Sequence, residues 1–280
     1  MLKLAFSTLP CDGWSVEKMI NHAQKSGYKG IEVRESPESW ASVGLKISER
    51  DRIRELFAAE NIFITNIGSS VCVLGHSKEN RAQKMENLTA NIKLASDLNA
   101  RGVRIFLGNF ITRYTDAKEP IDHKQIVTFI REACEVASGY GIEIWIETHN
   151  EYGNGKAINR ILSDVNRENY GVIWDVIHPL EDGEKPQDTY NYLGKWCWHI
   201  HIKDGKPYQD PSYHCWEYTR LGDGIIPNKD IIQLLLNNGF DGFFSLEWES
   251  KWRQELQFPG SEGEKILPQY VNYMNNLIAG

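Results

Sequence analysis

The chain has 280 residues, about a quarter of them charged, and a formal net charge of −7. That length holds one large barrel or two smaller domains, and no low-complexity tract points to disorder. The mild acidic balance is spread along the chain and favours solubility; with 31 Lys and Arg against 38 Asp and Glu it argues against a nucleic-acid partner.

Short apolar or β-branched runs alternate with longer segments of helical period, the pattern of βα units around a parallel sheet. The first strand is expected over Leu2 to Ser7, followed by a helix from the N-cap Ser15 to about Lys25, with Gly27 just past its end. Gly30 to Arg34 reads as the second strand, Ser48 to Glu60 as a helix and Ile62 to Asn66 as the third strand. A helix from about Lys78 to Leu98 leads to a strand at Val103 to Leu107 and a helix from about Asp122 to Tyr140, closed by Gly141.

Three strands then follow at Glu143 to Glu147, Tyr170 to Asp175 and Trp198 to Lys203, with shorter helices between them. Pro227 opens a helix to about Asn238, Gly239 closes it, Phe243 to Glu247 is the last strand, and Gln269 to Ile278 a closing helix. The count of eight strand–helix pairs with no evident linker gives an α/β fold, a (β/α)8 TIM barrel in one domain over residues 1–280. A doubly wound open sheet is the alternative, but no G-x-G-x-x-G follows the first strand.

The five cysteines are widely spaced with no C-x-x-C pair, so neither a disulfide framework nor a zinc knuckle is expected. Met1 to Phe6 is too short for a signal-peptide core, and no apolar run approaches the roughly 20 residues that span a bilayer. The expected protein is cytoplasmic, with no membrane partner.

Four late strands carry metal-competent side chains at or near their ends: Glu147, Asp175, His201 and Glu247. In a parallel barrel those ends converge on one mouth, so residues about 100 positions apart can meet. Three carboxylates and an imidazole form a hard, oxygen-rich set that suits Mn²⁺ or Mg²⁺ and admits Co²⁺ or Zn²⁺. A single acidic residue at a strand end is usually a solvated cap, and only the coincidence on consecutive strands argues for a metal. Glu249 is the rival to Glu247, but it is followed by Ser250 and Lys251 and reads as loop.

His149, His178 and Lys203 follow these strand ends closely and are candidate substrate-binding residues. Lys203, Lys206 and Arg220 are candidates to meet a phosphate, although no Gly-rich phosphate loop accompanies them. His199 alternates with Ile200 and His201, so it is placed to face the barrel as a partner to the site. Most of the dense tryptophans read as packing between barrel and helices, with one or two available to stack on a sugar ring.

The runs Ile146-Glu147-Thr148-His149, Trp174-Asp175-Val176-Ile177-His178-Pro179, His199-Ile200-His201-Ile202-Lys203-Asp204 and Ser245-Leu246-Glu247-Trp248-Glu249 together resemble the xylose-isomerase-like barrel superfamily. That superfamily holds sugar isomerases and epimerases, inosose dehydratases, hydroxypyruvate isomerases and abasic-site endonucleases. The resemblance implies a divalent metal, Mn²⁺ foremost, on Glu147, Asp175, His201 and Glu247, with Glu147 and Glu247 also the acid and base of an isomerase or epimerase acting on a sugar or sugar phosphate through an enediolate. His178 matches the family histidine that binds a substrate oxygen.

Ketose 3-epimerases of the family carry an arginine six residues after the ligand histidine and a glutamate six after the first ligand glutamate, where this chain has Pro207 and Gly153. An inosose-type dehydratase is the alternative. An abasic-site endonuclease needs further histidines, and His22 and His76 are not at clear strand ends; an inactive sugar-binding barrel is the non-catalytic reading. The partner is a small carbohydrate, and a homo-oligomer is possible, with Trp248 to Phe258 as a candidate interface segment.

Overall fold

The apolar runs form eight parallel strands closed into one barrel, in a computed structural model that describes residues 2–74, 80–108, 122–210 and 215–279. The strands are β1 (Lys3–Ser7), β2 (Gly30–Arg34), β3 (Phe63–Val73), β4 (Gly102–Leu107), β5 (Glu143–Glu147), β6 (Tyr170–Asp175), β7 (Cys197–Ile202) and β8 (Phe243–Leu246). Each pairs with its neighbours in sequence, and β8 returns to β1 with Lys3 opposite Phe243 and Phe6 opposite Leu246. The helices are α1 (Val16–Ser26), α2 (Ile47–Ala59), α3 (Arg81–Asp97), α4 (His123–Ser138), α5 (Gly155–Val165), α6 (Ile177–Glu181), α7 (Pro186–Leu193), α8 (Asn228–Asn237) and α9 (Gly263–Ala279).

Local chemistry sets these boundaries. Ser15 Oγ accepts from the Lys18 amide at the start of α1, and Gly27, at φ 83°, returns its N–H to the last turn. Between those caps Val16, Met19, Ile20 and Ala23 repeat at helical spacing and are the residues buried against the barrel. In β5, Glu143, Trp145 and Glu147 share one face; Trp145 fills the barrel interior, stacked at 5.9 Å on His199.

Trp145 fits because β4 offers Gly102, where an added Cβ would lie 2.8 Å from the indole ring. Gly102→Ala is therefore expected to destabilise the protein by about 1–3 kcal/mol through overpacking. Urea unfolding measures it, and an unchanged midpoint at equal slope would show that the ring moves aside freely.

Three elements differ from the sequence expectation. β3 runs on to Val73: Gly68 pairs with Arg104, and the ladder resumes at Cys72 and Val73 opposite Phe106 and Leu107 past a register irregularity that spans Ser69 and Ser70, residues that carry no apolar signal. α9 starts at Gly263 and continues through Pro268, since Ile266, Tyr270 and Met274 carry one buried stripe across the proline and its missing N–H costs a single early hydrogen bond. A two-stranded antiparallel hairpin, Gly205–Pro207 with Trp216–Tyr218, follows β7. Lys78, the expected start of the third long helix, lies outside the described residues. Trp248 of the candidate interface is buried and donates to the Ser261 carbonyl at 3.1 Å, so it belongs to the core; Trp252 remains 54% exposed. Among the described residues no helix is long and apolar enough to cross a membrane.

Candidate metal centre and active site

Glu147 and Asp175 close β5 and β6, His201 is the fifth residue of β7, and Glu247 directly follows β8. Register places Asp175 opposite His201, and His201 opposite Ser245 on β8. All four side chains are buried, and each offers one ligand atom within 4.8 Å of the others. The barrel thus brings together the four residues expected from the strand ends, with Glu147 and Glu247 at the two ends of the arc.

His201 is oriented from behind. Its Nε2 lies 2.9 Å from Glu32 Oε2, which leaves Nδ1 facing the carboxylates, at 3.2 Å from Glu247, 3.8 Å from Glu147 and 3.9 Å from Asp175. At these positions Nδ1 has no hydrogen-bond partner, and Asp175 Oδ2 meets a cation, the Lys203 ammonium at 2.6 Å, without accepting a hydrogen bond. A buried ring nitrogen turned toward three carboxylates, one of them already drawn to a positive charge, is what a cation-binding cluster presents, so the residues fit a divalent ion.

The electrostatics support the same reading. Burial raises the Glu147 pKa, with Arg104 opposing and Glu247 adding to the rise; burial likewise lifts Asp175 to about 8 against the pull of Lys203. At Glu247 burial also acts upward, but His201 and Lys203 outweigh it and hold the carboxyl well below its usual range. Crowded carboxylates that resist ionisation gain from a cation placed among them.

Two fixed cations hold the cluster. Arg104 Nη1 donates to Glu147 Oε2 at 2.8 Å, with Nη2 on the Ser69 carbonyl at 3.0 Å. Lys203 Nζ donates to Glu247 Oε2 at 2.6 Å and to Glu249 Oε1 at 2.8 Å, and lies 2.6 Å from Asp175 Oδ2 outside hydrogen-bonding direction. Lys203 is buried and does not line the cavity above the cluster.

That cavity, of about 600 Å³, is lined among others by Glu147, His149, Glu247, Glu249, Phe106 and Trp252. His149 Nδ1 is 2.7 Å from Asn150 Oδ1, and burial pushes its pKa down to about 4, so the imidazole is neutral. His178 stands behind it at 4.6 Å between ring centres, with Nδ1 2.7 Å from Glu181 and Nε2 3.6 Å from Asp175 Oδ2. Lys206 is half exposed beside Glu217, and Arg220 stacks on Phe258; neither lines the cavity. His22 packs on Trp14, and His76 lies outside the described residues.

Glu32, Arg34 and Arg104 were not expected from the strand-end pattern. Glu32 accepts from both His199 at 3.0 Å and His201 at 2.9 Å, and burial, the largest influence on it, is overcome by those two histidines so that it stays ionised. The signal was a single charge between β-branched residues, in Ile31-Glu32-Val33 and Val103-Arg104-Ile105: in a strand buried on both faces such a charge must point into a polar barrel interior. Glu32→Gln is expected to lower affinity for Mn²⁺ about 10–100-fold by loosening the His201 ring. Calorimetric titration checks this, and an unchanged affinity would show that His201 holds its orientation without Glu32.

The family model of the xylose isomerase-like TIM barrel matches residues 20–274, and the chain belongs to that family. It is 24% identical over 253 residues to 3-dehydroshikimate dehydratase of Bacillus anthracis, a match covering 84% of this chain and 85% of that one. An uncharacterized protein of Methanocaldococcus jannaschii, MJ1311, is 26% identical over 161 residues, 54% of this chain, and the match spans 50% of that relative's length. The structure of D-psicose 3-epimerase from Clostridium cellulolyticum H10 with D-tagatose aligns at a TM-score of 0.76 and 16% identity over 99% of both chains, which shows a common fold. Of these proteins, one is named a dehydratase and one an epimerase.

Proposed function

We propose that the protein is a metal-dependent isomerase or epimerase of a sugar or sugar phosphate, working by proton transfer at the carbon next to a carbonyl. The observation that carries this reading is the placement of two glutamates at opposite ends of a buried ligand arc, beneath a cavity of about 600 Å³. Glu147, Asp175, His201 and Glu247 would hold the ion, Mn²⁺ foremost given three carboxylate donors and one imidazole, and bound there it would act as a Lewis acid toward the substrate's carbonyl and hydroxyl oxygens.

Proton transfer falls to the chain itself. One of Glu147 and Glu247 takes the proton from carbon, and the other returns one to the opposite face for epimerisation or to the neighbouring carbon for isomerisation. Arg104 and Lys203 fix one oxygen of each glutamate and so hold the pair in place. His149, neutral and in the cavity wall, binds a substrate oxygen; His178, buried behind it and outside the cavity lining, supports its ring by an edge-on contact. Lys203 supports the carboxylates, its ammonium being engaged by three of them. Phe106 and Trp252 supply apolar wall against which a sugar ring excludes water.

A screen of free and phosphorylated ketoses and inososes with Mn²⁺ in deuterated buffer tests the reading, with solvent deuterium expected on the carbon next to the carbonyl. Conversion of a substrate deuterated at that carbon with the label left in place overturns it.

Elimination of a β-hydroxyl after the same proton removal is the second reading. The match to a dehydratase over 84% of the chain favours it, as do Pro207 and Gly153 in place of the 3-epimerase arginine and glutamate. Loss of water from the product separates the two.

A further inference from the structure

The cavity has a second wall that the proton-transfer reading does not use. Arg34 on β2 lies opposite Gly68 on β3, and Gly68 lies opposite Arg104 on β4. With strands about 4.8 Å apart, the two arginines stand at one level about 10 Å apart at the backbone, with no side chain between them. A Cβ built on Gly68 would reach into that gap, 3.4 Å from Arg104 Nη2 and 3.6 Å from the Val33 carbonyl. Arg34, Gly68, Ser70 and Arg104 all line the same cavity as Glu147 and Glu247.

The donors there are only partly met. Arg34 Nη2 donates to Ser70 Oγ at 3.2 Å, and among the described residues Arg34 forms no ion pair with a carboxylate. Arg104 uses Nη1 and Nη2 on Glu147 and Ser69, but its buried Nε has no hydrogen-bond partner. Of the nearby acids, Glu247 and Glu249 are engaged by Lys203 and Glu32 by His199 and His201, while Glu147 takes one side of Arg104 and leaves Arg34 without a carboxylate of its own. Burial and then the like charge of Arg104 bring the Arg34 pKa down to about 10, so both guanidinium groups remain charged at neutral pH and repel each other. Glu147 offsets part of the Arg104 charge, but Arg34 has only a neutral hydroxyl as its hydrogen-bond partner, and a forked anion would meet both groups.

We propose that Arg34 and Arg104, with Ser70 and over the floor left open by Gly68, seat an anionic group of the substrate, a carboxylate or a phosphate. The inference rests on the reading of this cavity as the substrate site and narrows the substrate to a sugar acid, a sugar phosphate or a related acidic ring ketone. The charged end lies against β2–β4, and the reacting carbons extend toward β5–β8.

Calorimetric titration of the full chain with inorganic phosphate and, separately, glycolate tests it, in EDTA and again with Mg²⁺. One or both anions are expected to bind, with affinity falling about tenfold or more in Arg34→Met. Arg34→Lys keeps the charge without the fork and should fall between; it also serves if Arg34→Met loses its near-ultraviolet circular dichroism. Binding of phosphate alone assigns a phosphoryl group, and of glycolate alone a carboxylate. Equal affinity in wild type and both variants, as from an anion bound at the ligand cluster, overturns the proposal, and so does the absence of binding under both conditions. Because no turnover is read, failure here leaves proton transfer standing, and failure of proton transfer leaves the anion seat standing.

Discussion

Glutamine in place of Glu147 or Glu247 is expected to reduce turnover about 10²–10⁴-fold at saturating metal, the range over which a positioned acid or base acts. The amide keeps the shape of the carboxylate but cannot accept a proton from carbon at neutral pH. Solvent deuterium incorporation should fall in parallel, because both readouts depend on the same transfer. The two variants should differ in stability. Glu147→Gln deprives Arg104 of the carboxylate it pairs with, whereas Glu247→Gln leaves Lys203 with Asp175 and Glu249, so the first should be the less stable. Near-ultraviolet circular dichroism confirms folding in each. Deuterium exchange persisting at the wild-type rate in both variants would remove the glutamates from the chemistry.

What the sequence displayed was the barrel and the rim of its site. Gly27 sits in the left-handed region just past α1, so that helix end could be placed from composition alone; α4 ends at Ser138 on Gly139, two residues before the expected Tyr140, and Gly141, at φ 69°, turns the chain only after that. Glu147 and Asp175 end apolar runs, and a side chain at that point of a barrel strand has few directions to take. Interior residues lower in the barrel were harder to read. Each strand is covered by helices on one face and closed on itself on the other, so both faces are buried and the alternation that marks an inside face is weak. Glu32 and Arg104 are isolated charges in the sequence, and their partners come from elsewhere in the barrel, β7 across the interior for Glu32 and the adjacent β5 for Arg104. The Gly68–Ser70 extension of β3 carries no apolar period at all, and with it the position between the two arginines was hidden.

Lys203→Met is expected to destabilise the metal-free protein by about 3–5 kcal/mol, the cost of removing one member of a buried ionic group. Lys203 is 2% exposed, and its ammonium lies within 2.8 Å of oxygens from Asp175, Glu247 and Glu249. Methionine preserves most of the apolar stem, so the loss should reflect charge more than packing. An exposed pair such as Lys18 with Glu264 contributes at most about 1 kcal/mol by comparison, because water screens it. With Lys203 gone, Arg104 stays on Glu147, Asp175 and Glu247 face His201 and each other, and a divalent ion would replace the positive charge that these two carboxylates lose. A cation present at about 100 times its dissociation constant stabilises the folded state by about 2.7 kcal/mol, and it should bind the variant more tightly for want of a competing ammonium. The gap in unfolding free energy between wild type and Lys203→Met should therefore be wide in EDTA and narrow in excess Mn²⁺, as urea titrations in both buffers would measure. A lysine that simply met the substrate would behave in the opposite way, with equal stability in EDTA and a raised KM as its main effect, and that result would return Lys203 to the substrate.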